Sequence, residues 1–139
     1  MAAFNKFQSF VEAVAEKVHN LGSDTLKVVL TNSAPVATNT VLANITQIAG
    51  TFGYTTGGTQ ATQVSSAQTT GTYKLVLNDV TWTASGGSIG PLRYAVLYND
   101  TATSDELIGY YDYGTNITIT DGNSFTVDFD GTTGVLTLA

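Results

Sequence analysis

The spacing of apolar residues changes after Asp24, and this change limits the fold more than any other feature of the sequence. Before Asp24, apolar residues recur every three or four positions, which places them on one face of an α-helix. After Asp24, they recur at every second position, as a β-strand with one buried face requires. The sequence therefore predicts one N-terminal helix followed by a domain built from strands.

The predicted helix spans about residues 4–21 and is amphipathic, with Glu12 and Glu16 on its polar face and Gly22 placed to end it. We interpret His19 as a cation or hydrogen-bond donor near the helix C-terminus. A lone amphipathic helix before a complete β-domain has two possible destinations, because it can cover its own sheet or bind other chains. The candidate interface residues on its apolar face, to which Phe10 adds, are Phe4, Phe7, Val11, Val14, Val18 and Leu21.

Short alternating segments follow at residues 26–30, 73–77, 94–98, 117–119, 125–129 and 135–138, separated by turn signals such as Gly86-Gly87 and Asp130-Gly131. Many short strands without intervening helices favour an antiparallel β-sandwich or barrel, jelly-roll-like, over a fold with parallel strands. The protein is thus expected to be mainly β with one N-terminal amphipathic α-helix. The predicted core residues are Leu26, Val28, Leu30, Leu75, Leu77, Val96, Phe125, Val127 and Phe129.

The length of 139 residues suits a single domain, 1–139, with the sandwich at about 24–139. Residues 32–70 are rich in Thr, Asn, Gly and Ser and predict a long polar excursion, with one strand near residues 60–64. The chain has no cysteine, so disulfides and thiolate metal sites are excluded.

Five cationic residues are scattered along a chain with eleven acidic ones, giving a formal net charge of −6. Phosphate binding needs several cations on one face, so the sequence argues against a nucleic-acid partner. No apolar run has the length of a membrane span, and the first residues lack the pattern of a secretory signal. We therefore expect synthesis in a cytoplasm, and no membrane partner.

A catalytic site is not expected. Residues 86–90, GGSIG, fit the G-x-S-x-G pattern of serine hydrolases, but a strand rather than a helix is predicted to follow Ser88, and the lone histidine precedes it. Two carboxylate groups, one at Asp100, Asp105 and Glu106 and one at Asp128 and Asp130, do not match a calcium-binding loop and are interpreted as solvated. The sequence thus predicts no catalytic residue, no cofactor and no metal site.

The aromatic run around Tyr110, Tyr111 and Tyr113 is a possible surface contact. Alternation places Tyr111 and Tyr113 on one side of a strand and Tyr110 on the other. Such a cluster either packs in the core or between subunits, or stacks on a sugar or a partner protein. Trp82 is interpreted as a core or edge-covering residue.

Several stretches resemble small proteins encoded among the structural genes of tailed bacteriophages, and together they extend from the helix to the later strands. They are residues 18–28 (VHNLGSDTLKV), 31–36 (TNSAPV), 81–84 (TWTA), 87–100 (GSIGPLRYAVLYND) and 107–109 (LIG).

This resemblance implies a non-enzymatic virion protein of the capsid decoration, or cement, type. Such β-rich subunits bind the outer surface of the head in many copies. The implied partners are the major capsid protein and further copies of the chain, as a homotrimer, and the implied location is the outer capsid surface of the virion, after synthesis in the bacterial host cytoplasm. The alternative is a binding module of a tail, fibre or baseplate that contacts a host glycan or a partner protein.

Overall fold

Within residues 2–139, the alternating segments of the sequence form strands that pair only antiparallel, and these strands are arranged in two layers. The computed structural model describes residues 2–139. Its elements in chain order are β1 (Phe4–Lys6), α1 (Ser9–Ala15), β2 (Leu26–Thr31), a 3-10 turn (Leu42–Asn44), β3 (Thr59–Gln60), β4 (Gln63–Thr69), β5 (Thr72–Leu77), β6 (Val80–Thr83), β7 (Ile89–Asn99), β8 (Leu107–Ile119), β9 (Ser124–Val127) and β10 (Leu136–Leu138).

One layer is a five-stranded sheet with the order β1-β8-β7-β2-β3. The other contains a three-stranded sheet, β10-β5-β4, and the pair β6-β9. The main core lies between the layers, where Leu30 and Leu97 of the large sheet meet Leu75 and Trp82 of the smaller ones. The mainly β antiparallel sandwich predicted from the sequence is therefore confirmed.

The five-stranded sheet is also buried on its outer face. Val29 and Val96, which pair across β2 and β7, point away from the main core and join a second apolar cluster with Phe7, Tyr98 and Leu107. Leu42 and Ile45 from the 3-10 turn region pack against this cluster. The central strands consequently carry long apolar runs, as strands covered on both faces do.

The predicted excursion at 32–70 is shorter than expected, because its last part forms β3 and β4. Its first part is bound to the large sheet: the Tyr54 hydroxyl accepts a hydrogen bond from the Leu30 amide and donates one to Gln47. Gly58, with φ of +76°, brings the loop against β2, where a Cβ would lie 1.8 Å from the Val28 carbonyl oxygen. Only glycine fits this crossing.

The helix predicted for residues 4–21 is wrong at both ends. Residues 4–6 form an edge strand in which Phe4 pairs with Tyr111 of β8, and the Phe7 amide donates to the Ile108 carbonyl. The helix covers only Ser9–Ala15 and ends before Lys17, whose φ is +66°. Strand pairing satisfies the amides of the first residues, which an isolated helix would leave unpaired.

Eight of the nine predicted core residues are buried, whereas Phe125 is only partly buried against the core. The segments predicted around Tyr110 to Tyr113 and at 117–119 belong to one long strand, β8. Gly114 within it has φ of +81°, and the pairing with β7 is irregular over this stretch. Such an irregularity interrupts the alternation that sequence analysis reads.

Candidate interaction surface

The structure divides the six candidate interface residues into three groups of two. Phe7 and Leu21 are buried inside the subunit, so their assignment to an interface with other chains is wrong. Phe4 and Val14 are partly buried against the main core. Val11 and Val18 remain outside, with 52% and 37% of their surface exposed.

An apolar groove lies beside Val11, between the N-terminal segment and the last strand. It has a volume of about 300 Å³. Its walls come from β1, α1 and β10, and its lining residues are Phe4, Lys6, Phe10, Val11, Leu136, Thr137 and Leu138. Leu138 is itself 39% exposed. We call Val11, Val14, Val18 and Leu138, together with this groove, the helix surface.

A larger, open depression of about 640 Å³ adjoins the helix surface and shares Leu138 with the groove. Val14 and Val18 line it, together with Tyr73 and the turn that follows the helix. His19 of that turn also lines the depression but is only 7% exposed. The helix surface thus includes one concave region, the groove, and borders a second, larger one.

His19 belongs to a buried hydrogen-bond network with Asn99 and Asp24 that the sequence analysis did not predict. The Asn99 side-chain amide donates to His19 Nδ1 at 2.9 Å and to Asp24 Oδ2 at 2.7 Å, while its oxygen accepts from the Thr101 amide. An amide nitrogen can only donate, so Nδ1 is the acceptor and the imidazole proton is on Nε2. The prediction that His19 is a cation or donor at the helix end is therefore wrong, because its ring accepts at Nδ1 and stacks on Phe10.

Burial lowers the pKa of His19 below its ordinary value of 6.5, although the nearby carboxylates of Glu106 and Asp24 act in the opposite direction. A histidine with a lowered folded-state pKa takes up its proton more readily when unfolded. Neutral His19 therefore contributes its full stabilisation when the pH is above 6.5, the ordinary pKa that applies in the unfolded chain. This stabilisation is lost as the pH falls from 6.5 to the lower pKa of the folded protein. The network therefore weakens in mild acid.

We expect the free energy of unfolding of the wild-type chain to decrease between about pH 8 and pH 5, a range in which free carboxylates stay ionised. His19→Gln should remove this part of the pH dependence, because a glutamine oxygen can accept from Asn99 without taking up a proton. Chemical denaturation at a series of pH values measures the free energy of unfolding of the wild type and of the His19→Gln variant. An equal decrease in the two proteins would contradict the assignment to His19.

The tyrosine cluster lies on both faces of β8. Tyr111 is buried in the main core, so its assignment to a surface contact is wrong, while Tyr110 packs on Phe7 with ring centroids 5.3 Å apart. Tyr113 is partly buried beside Phe125. Burial, with a smaller effect from Asp128, raises the pKa of Tyr113 to about 12.

A depression of about 520 Å³ lies at this part of β8, lined by Tyr111, Tyr113, Asp112, Thr126 and Asp128 with Ala2. Asp112 forms an ion pair with Arg93, in which Arg93 Nε is 2.9 Å from Asp112 Oδ1. An aromatic ring beside carboxylates and a hydroxyl is chemically suited to a sugar.

The remaining polar candidates lie in turns and loops. Ser88 is exposed in a turn that leads into the strand β7, so the strand-to-helix elbow of the hydrolase pattern is not formed there. Asp100 pairs with Lys27 at 3.2 Å, and Asp130 accepts from two backbone amides of its own turn. Within residues 2–139, no three His, Asp or Glu side chains are grouped so that they could hold a metal ion.

Trp82 is buried in the main core, with its ring centroid 6.1 Å from that of Tyr54.

Among the described residues, no helix has both the length and the apolar character needed to cross a membrane. Comparisons of the chain with family models, curated proteins and solved structures give no match.

Proposed function

We propose that the chain is a non-enzymatic structural subunit of a tailed-phage virion, bound in many copies to the outer surface of the head as a homotrimer. The observation that carries the proposal is the helix surface. The subunit has a core between its two layers, yet Val11 and Leu138 are left exposed at the apolar groove, and Val18 is left exposed at the adjoining depression that Leu138 also lines. Adjoining exposed apolar side chains of this kind are typical of a protein contact.

The charge of the chain supports an outer position. A net charge of −6 disfavours contact with packaged DNA, whose phosphates repel an acidic surface. The resemblance to phage structural proteins supports the same assignment. Many modest contacts, repeated at symmetry-related sites, would together hold a decoration subunit on its shell.

Copy number tests this function. Quantitative mass spectrometry of purified virions that contain the protein should give on the order of hundreds of copies per particle, since decoration subunits follow the repeated sites of the shell. The major capsid protein of the same particles serves as the internal reference. A few copies per particle would contradict the decoration assignment.

The second candidate function, a glycan-binding module of a tail or fibre, is favoured by one observation. The depression on β8 combines Tyr113 with the carboxylate of Asp128 and the hydroxyl of Thr126. A low copy number, together with glycan binding that Tyr113→Ala abolishes, would support this second function in place of the first.

A further inference from the structure

Phe52 is an exposed aromatic residue held at one end of the sandwich. It is 47% exposed and has φ of +59°, a left-handed conformation that a bulky side chain rarely adopts. Its carbonyl accepts a hydrogen bond from the Ser85 amide at 2.9 Å. A rare backbone conformation persists only where its surroundings enforce it, and such positions concentrate at binding sites.

The turn beneath Phe52 fits its ring closely. A Cβ at Gly87 would lie 2.7 Å from the ring, so the glycine lets the ring rest on the turn. The same turn is held by Asp121, whose carboxylate accepts from the Gly86 amide at 3.1 Å. An apolar ring and an exposed carboxylate are thus presented on neighbouring loops.

We propose that Phe52 of one copy inserts into the apolar groove of the helix surface of a second copy. The groove volume of about 300 Å³ exceeds that of a phenylalanine side chain, and the groove walls are mainly apolar. This proposal rests on the proposed oligomeric function, and it identifies Phe52 as the residue that the neighbouring copy supplies.

Charge complementarity supports a second copy as the occupant. Lys6 lines the groove, and Asp121 lies on the turn next to Phe52. Within residues 2–139, the ion pairs are Lys27–Asp100 and Arg93–Asp112, so neither Lys6 nor Asp121 is neutralised inside its own subunit. Docking Phe52 into the groove of a neighbour would bring these opposite charges to the same interface.

The two surfaces are too far apart to meet within one subunit. The Phe52 loop lies against the start of β7, because the neighbouring Gly53 is packed on Thr83 and Ile89. The groove lies at β1, where Phe4 pairs with Tyr111, and Tyr111 in turn pairs with Ala95. Six residues of strand, about 20 Å, separate Ile89 from Ala95. The contact is therefore made between copies. We take it to be head-to-tail because the proposed homotrimer requires two different surfaces to meet at each interface, and such contacts close into a ring at a suitable rotation.

Sedimentation analysis of single variants tests the contact. Phe52→Asp should weaken self-association about 30-fold or more, as expected for a central aromatic anchor. Val36→Asp is the matched control, because Val36 is a 56% exposed apolar loop residue outside both surfaces, and it should associate as the wild type does. Unchanged association of Phe52→Asp, with the fold verified by circular dichroism, would overturn the proposal.

Mixing two variants tests the head-to-tail arrangement. Phe52→Asp retains an intact groove, and Val11→Asp retains an intact Phe52. At a concentration where each variant alone is monomeric, the mixture should form one-to-one dimers. Monomers that stay separate on mixing would overturn the arrangement. A monomeric wild type would overturn the contact itself, while the copy number in virions would still decide the proposed function independently.

Discussion

Replacing Phe129 with Ala should lower the free energy of unfolding by about 3–5 kcal/mol. Phe129 follows β9, is 3% exposed, and packs on Tyr111 with ring centroids 5.9 Å apart. Its amide also donates to Asp79 Oδ1 at 2.9 Å, so the backbone is held while the ring is removed. The variant would leave a cavity between the two layers that the neighbouring side chains fill only in part.

Phe125 provides the matched control for Phe129. It is also a phenylalanine, it lies four residues earlier on the same alternating segment, and it is only partly buried. Phe125→Ala should cost roughly 1–2 kcal/mol, in proportion to the smaller apolar area that it buries. Urea denaturation of both variants measures the difference. Equal losses would show that the burial of the two rings differs less than the structure indicates.

The strands were predictable wherever one face is buried and the other is solvated. The alternation of Phe125, Val127 and Phe129 with polar residues identifies β9 and the segment after it, because period two matches the geometry of a strand. The same rule gives an incomplete account of β2 and β7, which are buried on both faces. Val96 was correctly assigned to the interior, but it lies in the cluster outside the large sheet, opposite the main core.

The N-terminal segment shows why apolar spacing alone could not define the helix. Phe4, Phe7 and Val11 have helical spacing, yet the same residues also fit a strand, a bend and a short helix. Which of these structures the segment adopts depends on hydrogen bonds to β8, about a hundred residues further along the chain. A pattern confined to one segment contains no information about such a distant partner.

The candidate site was predictable only in part, for a related reason. The helix was a correct indication of where exposed apolar residues lie, since Val11 and Val18 belong to the helix surface. Leu136 and Leu138, which also belong to the helix surface, are placed there because β10 pairs with β5. Likewise, Asn99 reaches His19 from 80 residues away, and no sequence signal marked Phe52 as exposed.

The helix surface leads to the prediction with the largest expected effect, a comparison of two substitutions by Asp four residues apart. Phe7 is fully buried in the second cluster, with its amide bonded to Ile108. Phe7→Asp would lose the burial of an aromatic ring, about 3–5 kcal/mol, and place a carboxylate in apolar surroundings at a further cost of several kcal/mol. Small domains have only about 5–15 kcal/mol of stability in total, so this variant should not fold.

Val11→Asp should behave in the opposite way. Val11 is 52% exposed, so an aspartate there remains in water, and the free energy of unfolding should change by less than about 1 kcal/mol. Self-association should nevertheless be lost, because the carboxylate would stand at the rim of the groove that receives a neighbouring chain. Thermal denaturation and sedimentation, measured on both variants, separate the two effects. A folded Phe7→Asp variant would show that the second cluster is not required for stability, and a Val11→Asp variant that still associates would exclude the helix surface from the oligomer contact.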